Sequence, residues 1–338
     1  MNKKILIVGP AWVGDMVMAQ CLFKLLKQRD PHVIIDVLGP AWSLPLTARM
    51  PEVSSSIVIP TTHGELGLSK RYKLGKQLRL NHYDQAIVLP NSFKSALALW
   101  WANIPRRTGW RGEMRYFVLN DIRHLNKTQY PLMIERFMAL GLEPGETLPS
   151  DHPLPELRIS QTSQLTALKN HQLDYPEKPI LALCPGAEFG PAKQWPEEYY
   201  ADIANAKLNE GWQVWIFGSP KDNAGAERIR QATQQRAINL AGKTTLEEAI
   251  DLLALTTVIV SNDSGLMHIG AALQKPLVAV YGPTSPSFTP PLHKKANILT
   301  LQLECQPCFQ RTCPLQHHRC MRELNPAMVL NTLSALET

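Results

Sequence analysis

The amino-acid sequence predicts an α/β protein of two successive doubly wound domains with a cleft between them. Three observations carry this. Short β-branched runs alternate with segments of helical periodicity along most of the chain, the pattern of a parallel sheet wrapped by helices. Runs such as Ile5-Leu6-Ile7-Val8 and Ala86-Ile87-Val88-Leu89 are apolar at every position, as strands covered on both faces must be. The alternation stops in a proline-punctuated stretch between Pro144 and Pro179 and then restarts. At 338 residues the chain is long for one core and suits two domains of about 150 residues each.

In the first half, strands are expected at Lys4–Val8, Val33–Leu38, Ile57–Ile59 and Gln85–Leu89. Helices are expected at Met16–Arg29, Leu66–Leu80, Ser92–Asn103 and Leu132–Leu140. The second half offers strands Ile180–Cys184, Gln213–Phe217, Thr257–Val260 and Leu277–Tyr281. Its helices are Pro196–Asn209, Asn223–Gln235, Leu246–Leu255 and Gly265–Leu273, with a final one over Pro326–Leu336. The division that follows is a first domain over 1–155, a linker over 156–175 containing one short helical pattern, and a second domain over 176–325. The last segment, 326–338, is expected to be a helix packing back on the first domain.

Composition excludes little. Hydrophobic content of 44% and charged content of 19% are ordinary for a globular protein. The net charge of +6 suits an anionic partner without choosing among nucleic acid, a phosphate-bearing small molecule and an acidic membrane surface. Lys3-Lys4 and the apolar run after them imitate a signal peptide, but Asp15 interrupts that run and helical spacing follows. No apolar stretch is long enough for a membrane span, so a cytoplasmic protein is expected. Cys21 and Cys184 stand alone in apolar surroundings, as buried reduced thiols do.

In open α/β sheets ligands gather at the carboxyl ends of the strands, and four loops there carry unusual chemistry. Gly9-Pro10-Ala11-Trp12-Val13-Gly14-Asp15 lacks the spacing of dinucleotide and P-loop motifs; Asp15, at the helix start, reads first as a cap and only second as a catalytic base. The loop from Cys184 to Pro196 brings two glycines and Lys193 to a helix start, a setting for an anion. Phe217-Gly218-Ser219-Pro220-Lys221-Asp222 offers a carboxylate for ribose hydroxyls or, equally, a cap for the next helix. Ser261-Asn262-Asp263-Ser264-Gly265-Leu266-Met267-His268 sets four polar groups before an apolar helix. There Ser264 would cap, Asp263 would point into the cleft, and His268 would lie near the opening.

Together these loops resemble the ADP-heptose:lipopolysaccharide heptosyltransferases, glycosyltransferase family 9, whose fold is GT-B. The resemblance rests on W-V-G-D after the first strand, P-G-A-E-F-G-P-A-K-x-W-P, N-D-S-G-L-M-H and Tyr281-Gly282-Pro283-Thr284-Ser285-Pro286. It runs from Lys4 to about Pro291. Asn91–Ala96 and Arg106–Tyr116 are similar to the branch that adds the second core heptose. The resemblance implies an inverting transfer of L-glycero-D-manno-heptose from ADP-heptose to heptosyl-Kdo-lipid A, with peripheral contact at the inner membrane and no nucleic-acid partner. It implies that Asp15 is the general base and that Lys193 stabilises the departing diphosphate. Asp263 would hold the donor sugar, Ser264, Gly265 and His268 the diphosphate, and Asp222, by a looser match, the ribose.

The chain has no D-x-D triplet, so no metal and no cofactor beyond the donor substrate is expected at the site. The basic residues Lys94, Arg106, Arg107, Arg111, Arg115 and Arg123 belong to the first domain; Lys94, Arg107 and Arg111 are the candidates for binding acceptor phosphates and carboxylates. Cys305-x2-Cys308-x4-Cys313-x6-Cys320, with His317 and His318, begins with metal-ligand spacing. A structural zinc, a redox-sensitive thiol group and plain reduced cysteines all remain open, and the cluster is expected to lie away from the motif loops. Other readings of the architecture are another transferase of the same family, adding the first or third heptose, a nucleotide-sugar epimerase, a periplasmic-type binding protein and a dehydrogenase. The missing glycine fingerprint makes the last the weakest.

Overall fold

Every strand that reads as apolar on both faces is an inner strand of a parallel sheet. A computed structural model describes residues 2–62 and 64–337, and its contacts divide into two units, Met1–Leu157 and Arg158–Thr338.

The first unit contains strands β1 Lys4–Val8, β2 Ile34–Gly39, β3 Ser55–Val58, β4 Gln85–Val88, β5 Arg106–Trp110 and β6 Asp121–Arg123. Its helices are α1 Val13–Arg29, α2 Leu44–Thr47, α3 Leu68–Arg79, α4 Phe93–Trp101 and α5 Met133–Ala139. All strands pair in parallel, in the order β3-β2-β1-β4-β5-β6. Successive side chains of β1 point to opposite faces: Leu6 and Val8 join a core with Leu74 and Leu78 of α3 and Leu97 of α4. Helices α1 and α5 pack together as a second pair.

The second unit begins with α6 Gln161–Asn170, which lies in the stretch expected to be linker and packs against α9. There follow β7 Ile180–Cys184, α7 Glu197–Asn209, β8 Gln213–Ile216, α8 Asn223–Ala232, β9 Ile238–Asn239 and α9 Leu246–Leu253. The chain continues through β10 Val258–Asn262, α10 Gly265–Ala272, β11 Leu277–Tyr281, β12 Ala296–Thr300, α11 Arg319–Arg322 and α12 Pro326–Glu337. The sheet is parallel throughout, in the order β12-β11-β10-β7-β8-β9. Numbered within its own unit, this is the first sheet's order again. The last helix packs on α7, and its Val329 and Leu333 enter the core formed by Leu181, Leu183 and Ile203 of the second unit.

In this strand order the winding reverses direction once per sheet, between β1 and β4 and between β7 and β10. Loops leaving neighbouring strands there splay to opposite faces and open a crevice. No helix among the described residues is long and apolar enough to cross a membrane.

Candidate functional site

The second sheet's reversal point gathers the loop after β7 and the loop after β10. Lys193 ends a short 3-10 turn, Pro191–Lys193, and its Nζ lies 2.6 Å from Asp263 Oδ2. Thr284 Oγ1 donates to the same oxygen at 2.6 Å. The Lys193 ammonium also lies 5.0 Å from the centre of the Phe189 ring. With Asp263 6% exposed and Lys193 13%, water screens the pair poorly and each charge needs the other.

Asn262 holds the two loops in register. Its buried carboxamide donates from Nδ2 to Pro185 O at 2.7 Å, and its Oδ1 accepts from Tyr200 OH at 2.8 Å and from the Trp195 backbone at 3.3 Å. It therefore ties β10 to both ends of the β7–α7 loop. Sequence reasoning places Asn262 in its motif but assigns it no role. Its position at the end of a strand that opens with three apolar residues is the available signal, since a buried amide must find partners.

Ser264 caps α10, its Oγ accepting from Met267 N at 3.4 Å, and Gly265 opens the helix. His268, one turn in, is buried. Burial lowers its pKa to about 4; neighbouring Asp263 opposes this and Lys193 adds to it. The imidazole is therefore neutral at neutral pH, a polar group rather than a cation. Asp222 closes a 3-10 turn, its Oδ2 accepting from Ser219 N at 2.8 Å and Ser219 Oγ at 2.7 Å. The carboxylate thus closes the 3-10 turn back onto Ser219 and makes no side-chain cap bond to the next helix, α8. The same carboxylate reaches the β7 loop so closely that a Cβ on Gly186 would lie 2.5 Å from Oδ2. Asp222 also lines a cavity of 470 Å3 with Pro185, Pro191, Gln194, Glu197 and Lys221.

Asp15 stands in the first turn of α1, whose N-cap is Trp12. It lines a cavity of 290 Å3 at the first sheet's reversal point, with Trp12, Asn91, Trp110, Arg136 and Phe137. Trp12 is 46% exposed, an aromatic face at the rim of this cavity.

The basic residues of the first unit mostly serve its own structure. Arg107 donates to Val118 O at 2.7 Å and Ile104 O at 2.5 Å, and burial depresses its pKa. Arg106 pairs with Asp121 and Glu143, and Arg123 bonds Asp121 and Ala139 O. Arg115 is buried against Pro90 O, Asn91 and Trp110 O. The carbonyls of Pro90, Ile104 and Val118 lie outside the strands, and guanidinium forks satisfy several such groups at once. Arg111 is exposed and Lys94 half-buried.

One expectation is overturned. The cysteine-bearing loop does not lie away from the motif loops. Ala192 N donates to Arg311 O at 3.0 Å, Phe309 N to Pro283 O at 2.8 Å, and Gln306 Nε2 to Gly282 O at 2.8 Å. A Cβ on Gly190 would sit 2.5 Å from Arg311 O, so the two backbones touch. Sequence distance conceals this, because the contact is made across β11 and β12.

Known proteins agree with this geometry. The profile of glycosyltransferase family 9 (heptosyltransferase) matches residues 71–319. The chain is 48% identical to lipopolysaccharide heptosyltransferase 2 of Escherichia coli K12 over 98% of both chains. It is 46% identical to lipooligosaccharide heptosyltransferase 2 of Haemophilus influenzae, over 98% of this chain and 99% of that one. Among solved structures, that of the E. coli ADP-heptose lipopolysaccharide heptosyltransferase II superposes with a TM-score of 0.89 at 46% identity over 98% of both chains. A family 9 transferase from Veillonella parvula shares the fold at a TM-score of 0.86 and 18% identity, over 99% of this chain and 98% of that one. The two Rossmann-like units are those of a GT-B glycosyltransferase, and the chain belongs to glycosyltransferase family 9, the heptosyltransferases.

Proposed function

We propose that the protein transfers L-glycero-D-manno-heptose from ADP-heptose to the first heptose of heptosyl-Kdo-lipid A. The observation that carries this reading is the cluster of Lys193, Asp263 and Thr284 beside the start of α10. It combines a mobile cation, a carboxylate and a helix N-terminus, the parts needed to hold a sugar diphosphate without a metal. The 48% identity to an enzyme named heptosyltransferase 2 supports the choice of acceptor.

Each residue then has a physical task. Asp263 accepts sugar hydroxyls on the oxygen that Lys193 and Thr284 do not share. As the glycosidic bond to the diphosphate breaks, negative charge grows on the leaving oxygen, and Lys193 turns from Asp263 to stabilise it, aided by the amides of Ser264 and Gly265. Neutral His268 can donate a hydrogen bond to a phosphate oxygen without adding charge. Asp222, already anchored through Oδ2, is offered for the ribose.

Asp15 takes the proton from the acceptor hydroxyl as that oxygen attacks the anomeric carbon from the side opposite the diphosphate. One displacement of this kind inverts the configuration. Trp12 provides a flat apolar surface for the acceptor sugar, and Arg111 and Lys94 supply charge for its phosphates. Because the acceptor carries lipid, the enzyme would act in the cytoplasm at the inner membrane surface. Exposed Met114, Tyr116 and Phe117, close to Arg111 in the chain, are the residues proposed to touch it.

The test is ADP release from ADP-heptose with acceptors carrying zero, one or two heptoses. Release only with the one-heptose acceptor is expected. A preference for the heptose-free acceptor would move the protein to the first transfer step, and turnover without acceptor would point to an epimerase.

A further inference from the structure

Four of the six cysteines, none of them used by the reaction, gather around one point. Cys305, Cys308, Cys313 and Cys320, with His317 and His318, line a single small cavity of 20 Å3, bounded also by Ala192 and Pro283. That volume suits one atom-sized guest. The backbone around the cavity turns sharply. Phe309, directly after Cys308, has φ of +54°, and Gln316 and His318 have +57° and +49°. Left-handed conformations at side-chain-bearing residues cost free energy and persist where surrounding structure imposes them. Four sulfurs and two imidazoles around one small cavity are a donor set suited to a transition-metal cation.

We propose that Cys305, Cys308, Cys313 and Cys320 bind one tetrahedral, thiolate-ligated transition-metal ion, with zinc the expected species, and that this ion fixes the loop supporting Lys193 and Thr284. As the side chains stand, no three ligating groups among the described residues already enclose an ion, so binding includes rotation of the thiols about their Cα–Cβ bonds into the shared cavity. Four S–H protons leave to solvent as four metal–sulfur bonds form, and no electrons are exchanged. His317 and His318 lie in the cavity wall as its outer layer. The close spacing of Cys305 and Cys308, together with sulfur-only ligands, favours a closed structural site over a catalytic one.

The functional consequence runs through three contacts already described. Arg311 O receives Ala192 N, one residue before Lys193, and Arg311 also lies 5.5 Å over the Phe189 ring that Lys193 faces from 5.0 Å. Phe309 N reaches Pro283 O, one residue before Thr284. Both partners of Asp263 are thus braced by the cysteine loop. This second half rests on the donor-site reading above; the metal itself does not.

The experiment is elemental analysis of the full-length purified protein, with zinc and iron both measured. Zinc release is then followed with a colorimetric chelator as a mercurial blocks the thiols. About one equivalent of zinc per chain is expected, released as four thiols react. One equivalent of iron on the same cysteines would support the site and correct the species. Cys308→Ser and Cys313→Ser should each lose the ion. Should those variants not fold, cobalt exchange into the wild type decides: sulfur-to-cobalt charge transfer and strong tetrahedral d–d bands are expected. Metal-free protein with four freely titrating thiols, or the same cysteines found as two disulfides after alkylation and mass spectrometry, would overturn the proposal. Chelation should raise the KM for donor several-fold. Stoichiometric metal without any effect on donor KM would retain the site and refute the bracing role alone.

Discussion

Replacing Lys193 by methionine removes the cation from a pair in which both partners are largely buried, leaving Asp263 with Thr284. Breaking a buried pair on one side costs about 3–5 kcal/mol, and partial access of water to Lys193 argues for about 3. For a unit the size of Arg158–Thr338, this corresponds to a drop in Tm of about 6–12 °C. The same change removes charge stabilisation at the leaving diphosphate, which is expected to lower kcat by about 10²–10³-fold. The two effects separate in the double variant Lys193→Met, Asp263→Asn. With no charge stranded, most of the Tm returns, whereas kcat stays low because the diphosphate still lacks its cation. Calorimetry and ADP-release kinetics on wild type, both single variants and the double variant measure the cycle. If the double variant regained wild-type kcat along with its stability, Lys193 would act only by neutralising Asp263, and the leaving-group role would be wrong.

Four shorter predictions follow from the same structure. Asp15→Asn should lower kcat by about 10²–10⁴-fold while leaving ADP affinity by titration calorimetry unchanged; weakened ADP binding would remove it from the role of base. The His268 pKa of about 4 lies below its unfolded value, so the unfolded chain binds the proton more readily and stability falls as pH drops from about 6.5 to 4, by roughly 3 kcal/mol. Tm measured against pH should show this loss in wild type and not in His268→Gln. Gly186→Ala sets a Cβ against the Asp222 carboxylate, costing about 1–3 kcal/mol; the KM for donor should rise, and an unchanged value would separate Asp222 from the donor. Replacing Met114 and Phe117 by serine should weaken sedimentation with anionic vesicles without changing turnover of a water-soluble acceptor; equal vesicle binding would place the membrane contact elsewhere.

The inner strands are legible because burial on both faces forces unbroken apolar runs, and β1, β7 and β11 begin and end where those runs do. The last two strands of the first sheet are not. Arg106–Trp110 and Asp121–Arg123 carry arginines that pair with Asp121, so their composition reads as loop. Helix α6 is the one short helical pattern expected inside the linker, but its place in the second unit is hidden by the prolines around it. At the site, Lys193, Asp263 and His268 can be named because strand-end loops concentrate chemistry, and the structure does bring Lys193 to Asp263. Other features depend on contacts between distant segments. Asn262 bridges 77 residues to Pro185, Thr284 reaches Asp263 across β11, and the cysteine loop meets Ala192 and Pro283. A one-dimensional pattern carries the chemical type of such residues but not their neighbours. The arginines illustrate the reverse error: charge that reads as a binding surface is largely consumed by carbonyls and carboxylates of the unit itself.

Both sheets wind in the same order and place their described chemistry at the carboxyl ends of the strands. The opposite ends carry plain turns such as that at Gly211, whose φ of +89° suits glycine and whose surroundings are open. Specificity and architecture can therefore be inherited separately. Editing a handful of loops alters which sugar or acceptor is held, while the strands beneath continue to answer only to burial. The Veillonella parvula transferase, which keeps the fold with fewer than one residue in five in common, shows how far sequence can drift on such a scaffold. For an engineer, attachment points for labels or surface tethers belong at the amino ends, where the winding leaves chemistry undisturbed.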